Sequence, residues 1–232
     1  RVDPFHQRIR RLARKFNWPR LFWSRLFGDR LLFHSPLTLS SAFSGLGTAE
    51  IAAEAISAYV PKGSLGVPFA VGQACDLAKA SQRILSLNVG VTAVATDLLF
   101  FWDPDFRAAL LEGKRNFDQT RLLMWSNLDK LGSPFVCART GRRVELDLGN
   151  LHCGGSPCTD FSSAGQRRGL AGPTTVVMLT WVCLVLRHLP LVVVHENVVQ
   201  FPFNLLCELL GTQYEGTCAT IEPSDFGWPV AR

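Results

Sequence analysis

The stretch LTLSSAFSGLGTAEIAAEAISAY, residues 37–59, decides the fold. Leu37–Phe43 reads as a strand, Ser44-Gly45-Leu46-Gly47 as a turn, and Thr48–Tyr59 as a helix. Pro61 to Gly66 then form a loop, Val67–Ala74 a second strand and Leu77–Leu85 a helix. Val91–Ala95 reads as a third strand ending at Asp97. Strand–helix alternation with short turns predicts a parallel, doubly wound α/β sheet. Further on, Leu146–Cys153 is a candidate strand, Pro173–His188 an apolar helix, Leu191–His195 a fully apolar strand and Val199–Leu210 a helix. Val-rich runs of this kind suit central strands covered on both faces. Residues 98–150 are less regular, with amphipathic helices expected near Phe106–Leu111 and Arg121–Leu131 and an arginine-rich turn at Arg139, Arg142 and Arg143. They read as an insertion, bounded here at 98–145.

Composition sets the frame. The 232 residues are 47% hydrophobic and 19% charged, which excludes a disordered or low-complexity chain. The net charge is +5, but residues 1–30 alone carry +7 and the remainder −2. The arginine- and aromatic-rich front, residues 1–35, reads either as a helical extension packed on the body or as an arm facing nucleic acid. Residues 36–232 form the body. Seven cysteines with no CxxC pair favour reduced thiols over a disulfide scaffold. Val176 to Leu186 spans about half of the ~20 apolar residues that a membrane crossing needs. No membrane span and no metal site are expected: His152, Cys153, Cys158 and His195 match no common zinc spacing. The chain begins with Arg1 rather than Met, no signal peptide is expected, and both ends look cut.

Three constellations carry candidate chemistry. Phe43, Gly45 and Gly47 lie in a small-residue turn between strand and helix, where a ligand can approach backbone, although many sheets use such a turn only for tightness. Asp97 stands at the carboxyl edge of the third strand, as a ligand contact or as a helix cap. Gly154-Gly-Ser-Pro157-Cys158-Thr-Asp160-Phe-Ser162-Ser-Ala-Gly165 follows a strand. A cysteine in such a turn is either an activated nucleophile or a small buried hydrophobe. The segment from Gln166 to Gly172 suits a mobile lid. His195-Glu196-Asn197-Val198 ends an apolar strand, so Glu196 is either a partly desolvated acid or part of a capping pair. The Ser156 context is not GxSxG, which disfavours a hydrolase elbow.

In order, FSGLGTAE, Asp97, GGSPCTDFSSAG, HENV and DFGWPVAR resemble the cytosine-5 DNA methyltransferases. The resemblance covers residues 37–97 and 146–232. It implies a Rossmann-like fold, mostly parallel with helices on both faces and C-terminally incomplete, and S-adenosylmethionine as cofactor. It places Phe43, Gly45, Gly47, Asp97 and Pro157 against the cofactor. For the acid that contacts the ribose it offers Asp76, with Gln73 as the other alignment. Ser41 stands where the family often has Asp.

The implied chemistry is covalent. Carbon 5 of cytosine is a poor nucleophile until a thiolate adds at carbon 6. The resemblance gives that attack to Cys158, protonation at nitrogen 3 to Glu196, and orientation of Glu196 to Asn197. The base must leave the duplex to be reached. Ser162 matches a serine near the flipped nucleotide, and Gly165–Gly172 match the loop that closes over it. In the family's QxRxR element, Val230 replaces Gln and Arg232 matches the first arginine. The segments that would follow read sequence and complete the cofactor pocket, so without them weak cofactor binding is expected. The implied partner is double-stranded DNA, in a nucleus or a bacterial cytoplasm. Two alternatives stand beside this: a non-catalytic relic that binds DNA or a partner, and a methyltransferase of transfer RNA, against which Ser162 leans because that branch usually carries Thr there.

Overall fold

In the computed structural model, residues 36–58, 69–132 and 134–222 are described. Five strands form one parallel sheet: β1 (Leu37–Ala42), β2 (Phe69–Cys75), β3 (Ala93–Ala95), β6 (Leu151–Gly154) and β7 (Val192–His195). Their order is β3-β2-β1-β6-β7. The chain first steps outward from β1, then returns to the other side of it. A parallel connection needs a crossover, and helices supply it: α1 (Thr48–Ser57), α2 (Lys79–Leu87) and α5 (Thr174–His188). A sixth helix, α6 (Phe203–Leu210), follows β7.

Side-chain alternation shows that both faces of the sheet are covered. Ala74 and Val94 join Leu85 of α2 in one buried cluster. Their neighbours Cys75, Ala93 and Ala95 point the other way and join α5 in a larger cluster. This period of two is what a sheet flanked on both sides requires. It is a Rossmann-like α/β fold, as the sequence predicts.

The segment between β3 and β6 contains α3 (Pro104–Glu112), α4 (Phe117–Trp125) and a two-stranded hairpin, β4 (Phe135–Val136) with β5 (Arg143–Val144). It shares the core with the sheet: Phe101, Trp102, Phe106, Met124, Leu131 and Phe135 are buried in one cluster with Trp181 of α5. The Trp102 indole donates to Thr180 Oγ1 at 2.9 Å and ties the segment to that helix.

Several boundaries differ from the sequence reading. The strand expected over Leu146–Cys153 is extended only over Leu151–Gly154, because Gly149 turns at φ 62. The helix expected from Arg121 runs instead over Phe117–Trp125, started by a capping box between Asn116 and Gln119. Pro202 delays the last helix to Phe203, since its ring removes a donor. Among the described residues β7 is an edge strand, not a central one. Val193 packs inward, while Val192 and Val194 are 46% and 48% exposed. No described helix is long and apolar enough to cross a membrane. Residues 1–35 and 223–232, and with them Val230 and Arg232, lie outside the described residues.

Candidate active site

Register brings the candidate residues to one edge. Ala42 pairs with Cys75, and Cys75 with Ala95. On its other side Ala42 pairs with Gly154, and Gly154 with His195. The next residues out are therefore Phe43, Asp76, Thr96 before Asp97, Gly155 and Glu196, all beyond the carboxyl ends of the strands. The strand order reverses between β1 and β6, and open sheets bind ligands at such a reversal.

A cavity of about 270 Å³ opens there. Phe43, Asp76, Asp97 and Pro157 line it with Leu98, Leu99 and Val177. That volume is just under the ~300 Å³ at which ligand pockets commonly begin. Larger depressions lie elsewhere, such as one of about 530 Å³ beside Phe100, Asp129 and Arg143, but they gather none of these residues. The donor set suits the nucleoside end of S-adenosylmethionine. Apolar walls take a purine, and two carboxylates stand by to accept from hydroxyls and an amino group.

The turn at this cavity is held under strain. Phe43 sits at φ 58, a region that a β-substituted residue enters only at a cost of about 1–3 kcal/mol. Ser44 secures it, since its hydroxyl donates to Cys75 O at 3.0 Å and accepts from Cys75 N at 3.1 Å. Asp76 fixes the next residue: Oδ2 accepts from Gly45 N and Oδ1 from Ala78 N, each at 2.8 Å. Gly45 (φ 55) has no atom within 4 Å of where a Cβ would stand, so its outer face is open. Asp97 also caps, accepting from Leu99 N at 2.9 Å, so this residue both ends a turn and lines the cavity. Gln73 lies elsewhere, bonded to Glu145 O and Asp147 N. Of the two alignments, only Asp76 faces the cavity.

Across the switch point, Cys158 is half-buried in the turn after β6. Its carbonyl accepts from Phe161 N at 2.9 Å and Ser162 N at 2.7 Å, so the chain coils back just after the thiol. Glu196 continues the ladder beyond β7 by donating to Gly154 O at 2.9 Å. Its Oε2 lies 3.5 Å from the Cβ position of Gly155, so the carboxyl sits over the glycine turn. The side chain is exposed, not desolvated as the apolar strand suggests, because β7 is an edge. Asn197 does not hold Glu196. Its Nδ2 donates to Ser156 O at 2.9 Å and Ser156 Oγ at 3.1 Å, tying the cysteine turn to the end of β7.

The loop that follows is pinned. Ser162 Oγ accepts from Ala164 N at 3.2 Å. Gln166 N donates to Thr159 O and Gly169 N to Asp160 O, both at 2.8 Å. Gly165 packs so tightly that a Cβ would stand 1.9 Å from Thr159 O. Asp160 is buried, and its carboxylate receives Thr174 Oγ1 at 2.6 Å and Thr174 N at 3.1 Å at the start of α5.

Sequence reasoning missed several supporting residues. Glu50 of α1 is 0% exposed, and burial raises its carboxyl pKa. Ser41 donates to it, so a helix carboxyl reaches the strand end where the family often has Asp. Beneath β1 and β6, Trp181 Nε1 donates to His152 Nε2 at 2.9 Å. Ser40 Oγ donates to Leu148 O at 2.5 Å and stands 2.7 Å from His152 Nδ1. Each proton then has one place to go, which puts the histidine proton on Nδ1. Burial, with a smaller push from His188, lowers the His152 pKa to about 3. Burial also raises the Cys153 thiol to about 11 and Cys183 to about 12, which suits inert packing thiols. Nothing local in the sequence marks these contacts, because partners come from different strands and helices. Among the described residues no group of three His, Cys, Asp or Glu side chains is placed to hold a metal.

A doubly wound parallel sheet in this order, with a cavity at the reversal, is consistent with a Rossmann-like methyltransferase fold. Residues 143–204 match the model of the C-5 cytosine-specific DNA methylase family. The match runs from β5 to the start of α6 and takes in both Cys158 and Glu196. That segment is thus similar to part of a C-5 cytosine-specific DNA methylase. No curated protein matches it.

Proposed function

We propose that the protein transfers a methyl group from S-adenosylmethionine to carbon 5 of cytosine in DNA, through a Cys158 adduct on a base flipped out of the duplex. The observation that carries this reading is the pairing of Gly154 with His195, which sets the Cys158 turn beside Glu196 at the same edge as the Phe43–Asp76–Asp97 cavity.

Phe43, Pro157 and the glycine turn would seat the cofactor, with Asp76 toward the ribose and Asp97 toward the adenine. When bound, S-adenosylmethionine supplies an electrophilic methyl on a sulfonium. The Cys158 thiolate forms a bond to carbon 6, and the displaced electron pair makes carbon 5 nucleophilic. Glu196 gives a proton to nitrogen 3 and so neutralises the charge that builds on the ring. Carbon 5 would take the methyl that the bound cofactor supplies, a neutral thioether being the leaving group. Water takes the carbon-5 proton, the ring double bond re-forms as Cys158 departs as thiolate, and nitrogen 3 returns its proton to Glu196. Extruding the target from the stack lets Cys158 reach carbon 6, and a single-stranded or mismatched site lowers that cost.

The test is covalent trapping by the full-length protein on duplex DNA carrying 5-fluorocytosine, with S-adenosylmethionine present. A stable adduct lost in Cys158→Ala supports the reading. No adduct with DNA sinks it, and an adduct only with transfer RNA moves the substrate there. DNA binding without an adduct leaves the non-catalytic reading.

A further inference from the structure

We propose that His195 and Ser156 are a positioning pair that holds Cys158 in place for attack, with the Ser156 hydroxyl donating to His195 Nε2. The inference rests on the catalytic reading above and deepens it.

Ser156 stands two residues before Cys158, is 4% exposed, and has its hydroxyl 3.0 Å from His195 Nε2. That hydroxyl already accepts from the Asn197 amide at 3.1 Å. Its own proton then needs an acceptor, because a buried donor left unmade is expensive. The imidazole nitrogen provides it when the ring proton sits on Nδ1. Burial lowers the His195 pKa to about 4, so the ring is neutral at neutral pH and keeps one nitrogen free to accept.

The ring itself is fixed. Its centroid lies 4.9 Å from that of Trp181 and 4.8 Å from that of Phe201. Phe201 in turn meets Phe161 edge-on at 5.2 Å, and Phe161 N donates to Cys158 O at 2.9 Å. The turn is therefore held on both sides of the cysteine from one ring: upstream through Ser156, downstream through Phe201 and Phe161. Phenylalanine at position 195 would keep the aromatic packing and strand Ser156. Glutamine would keep an acceptor close to where Nε2 stands.

The experiment compares wild type, His195→Phe, His195→Gln and Ser156→Ala in the full-length protein, each shown to be folded by its urea transition. Adduct formation on 5-fluorocytosine duplex is timed at saturating DNA and cofactor, and S-adenosylhomocysteine affinity is measured alongside. Expected are at least tenfold slower capture in His195→Phe and Ser156→Ala, cofactor affinity within twofold, and return to within threefold of wild type in His195→Gln. Capture within twofold of wild type in His195→Phe, or His195→Gln no better than His195→Phe, overturns the proposal. Should wild type form no adduct, the catalytic reading fails by itself. Positioning is then read from iodoacetamide labelling of Cys158, resolved by peptide and normalised to exposed Cys218. At least threefold faster labelling in His195→Phe, restored in His195→Gln, upholds the pair, and unchanged labelling overturns it. If His195→Phe does not fold, Ser156→Ala carries both comparisons.

Discussion

Replacing Asp76 by asparagine tests how the cofactor turn is held. The two carboxylate oxygens each accept one backbone N–H, from Gly45 and from Ala78, both at 2.8 Å. Asparagine has one acceptor oxygen, so one of these bonds is lost and an amide N–H2 faces a backbone N–H. A hydrogen bond to a charged acceptor is worth about 1.5–3 kcal/mol. If the loss falls on the ligand-ready shape of the turn, S-adenosylhomocysteine affinity drops about 10- to 150-fold, at ~1.4 kcal/mol per tenfold. The low end applies when the oxygen keeps Gly45, because the Ala78 donor is exposed and finds water. Asp76→Ala loses both bonds and should be at least as damaging. Gln73→Ala, on a side chain turned away from the cavity, should stay within twofold. Equilibrium binding paired with urea unfolding separates a lost ligand contact from a loosened fold. Binding by Asp76→Asn within twofold of wild type, with an unchanged urea midpoint, would refute the assignment of Asp76 to this turn.

Acid should destabilise the protein early. His152 titrates near 3 and His195 near 4 when folded, against ~6.5 unfolded, so between those values only the unfolded chain takes up the protons, and stability falls as pH drops from about 6.5. The slope approaches ~1.4 kcal/mol per pH unit for each histidine, and His188, also lowered by burial, adds in the same direction. Urea midpoints that are flat between pH 7 and 5 would contradict neutral, buried rings. Gly165→Ala puts a Cβ 1.9 Å from the backbone oxygen Thr159 O, so the loop must shift. Adduct formation should slow by more than tenfold; an unchanged rate would show that this loop geometry does not matter. Trp181→Phe removes the donor to His152 Nε2 and leaves a buried acceptor unpaired, for a loss of about 1–3 kcal/mol in urea unfolding. A loss under about 0.5 kcal/mol would dissolve the assigned network.

How far the sequence reaches depends on whether the signal is local. The alternation of strands and helices around Phe43-Ser-Gly-Leu-Gly47 fixes a parallel sheet, because the turn needs positive φ at Gly45 and Gly47 and the flanking periodicities are strong. The Pro157-Cys158 and Glu196-Asn197 elements are legible for the same reason, since each lies in a short segment just beyond a strand. Boundaries in residues 117–150 were less legible: a capping box and a positive-φ glycine decide them, and neither alters the apolar pattern.

Residue order alone determined which side chains stand just beyond the strands, and so named the candidates Phe43, Asp97, Cys158 and Glu196, while the family resemblance left Asp76 and Gln73 as alternatives. Tertiary structure decided how they are held. Pairing of Ala42 with Gly154, and of Gly154 with His195, is a long-range register that no local window contains. It turned Asn197 toward Ser156 and away from Glu196 and left Glu196 exposed at an edge, while the pairing of Ala42 with Cys75 put Asp76, and not Gln73, at the cavity. The physical reason is one of scale. Backbone preference acts over a few residues, whereas hydrogen-bond partners and burial are set by whichever distant strand the sheet brings alongside.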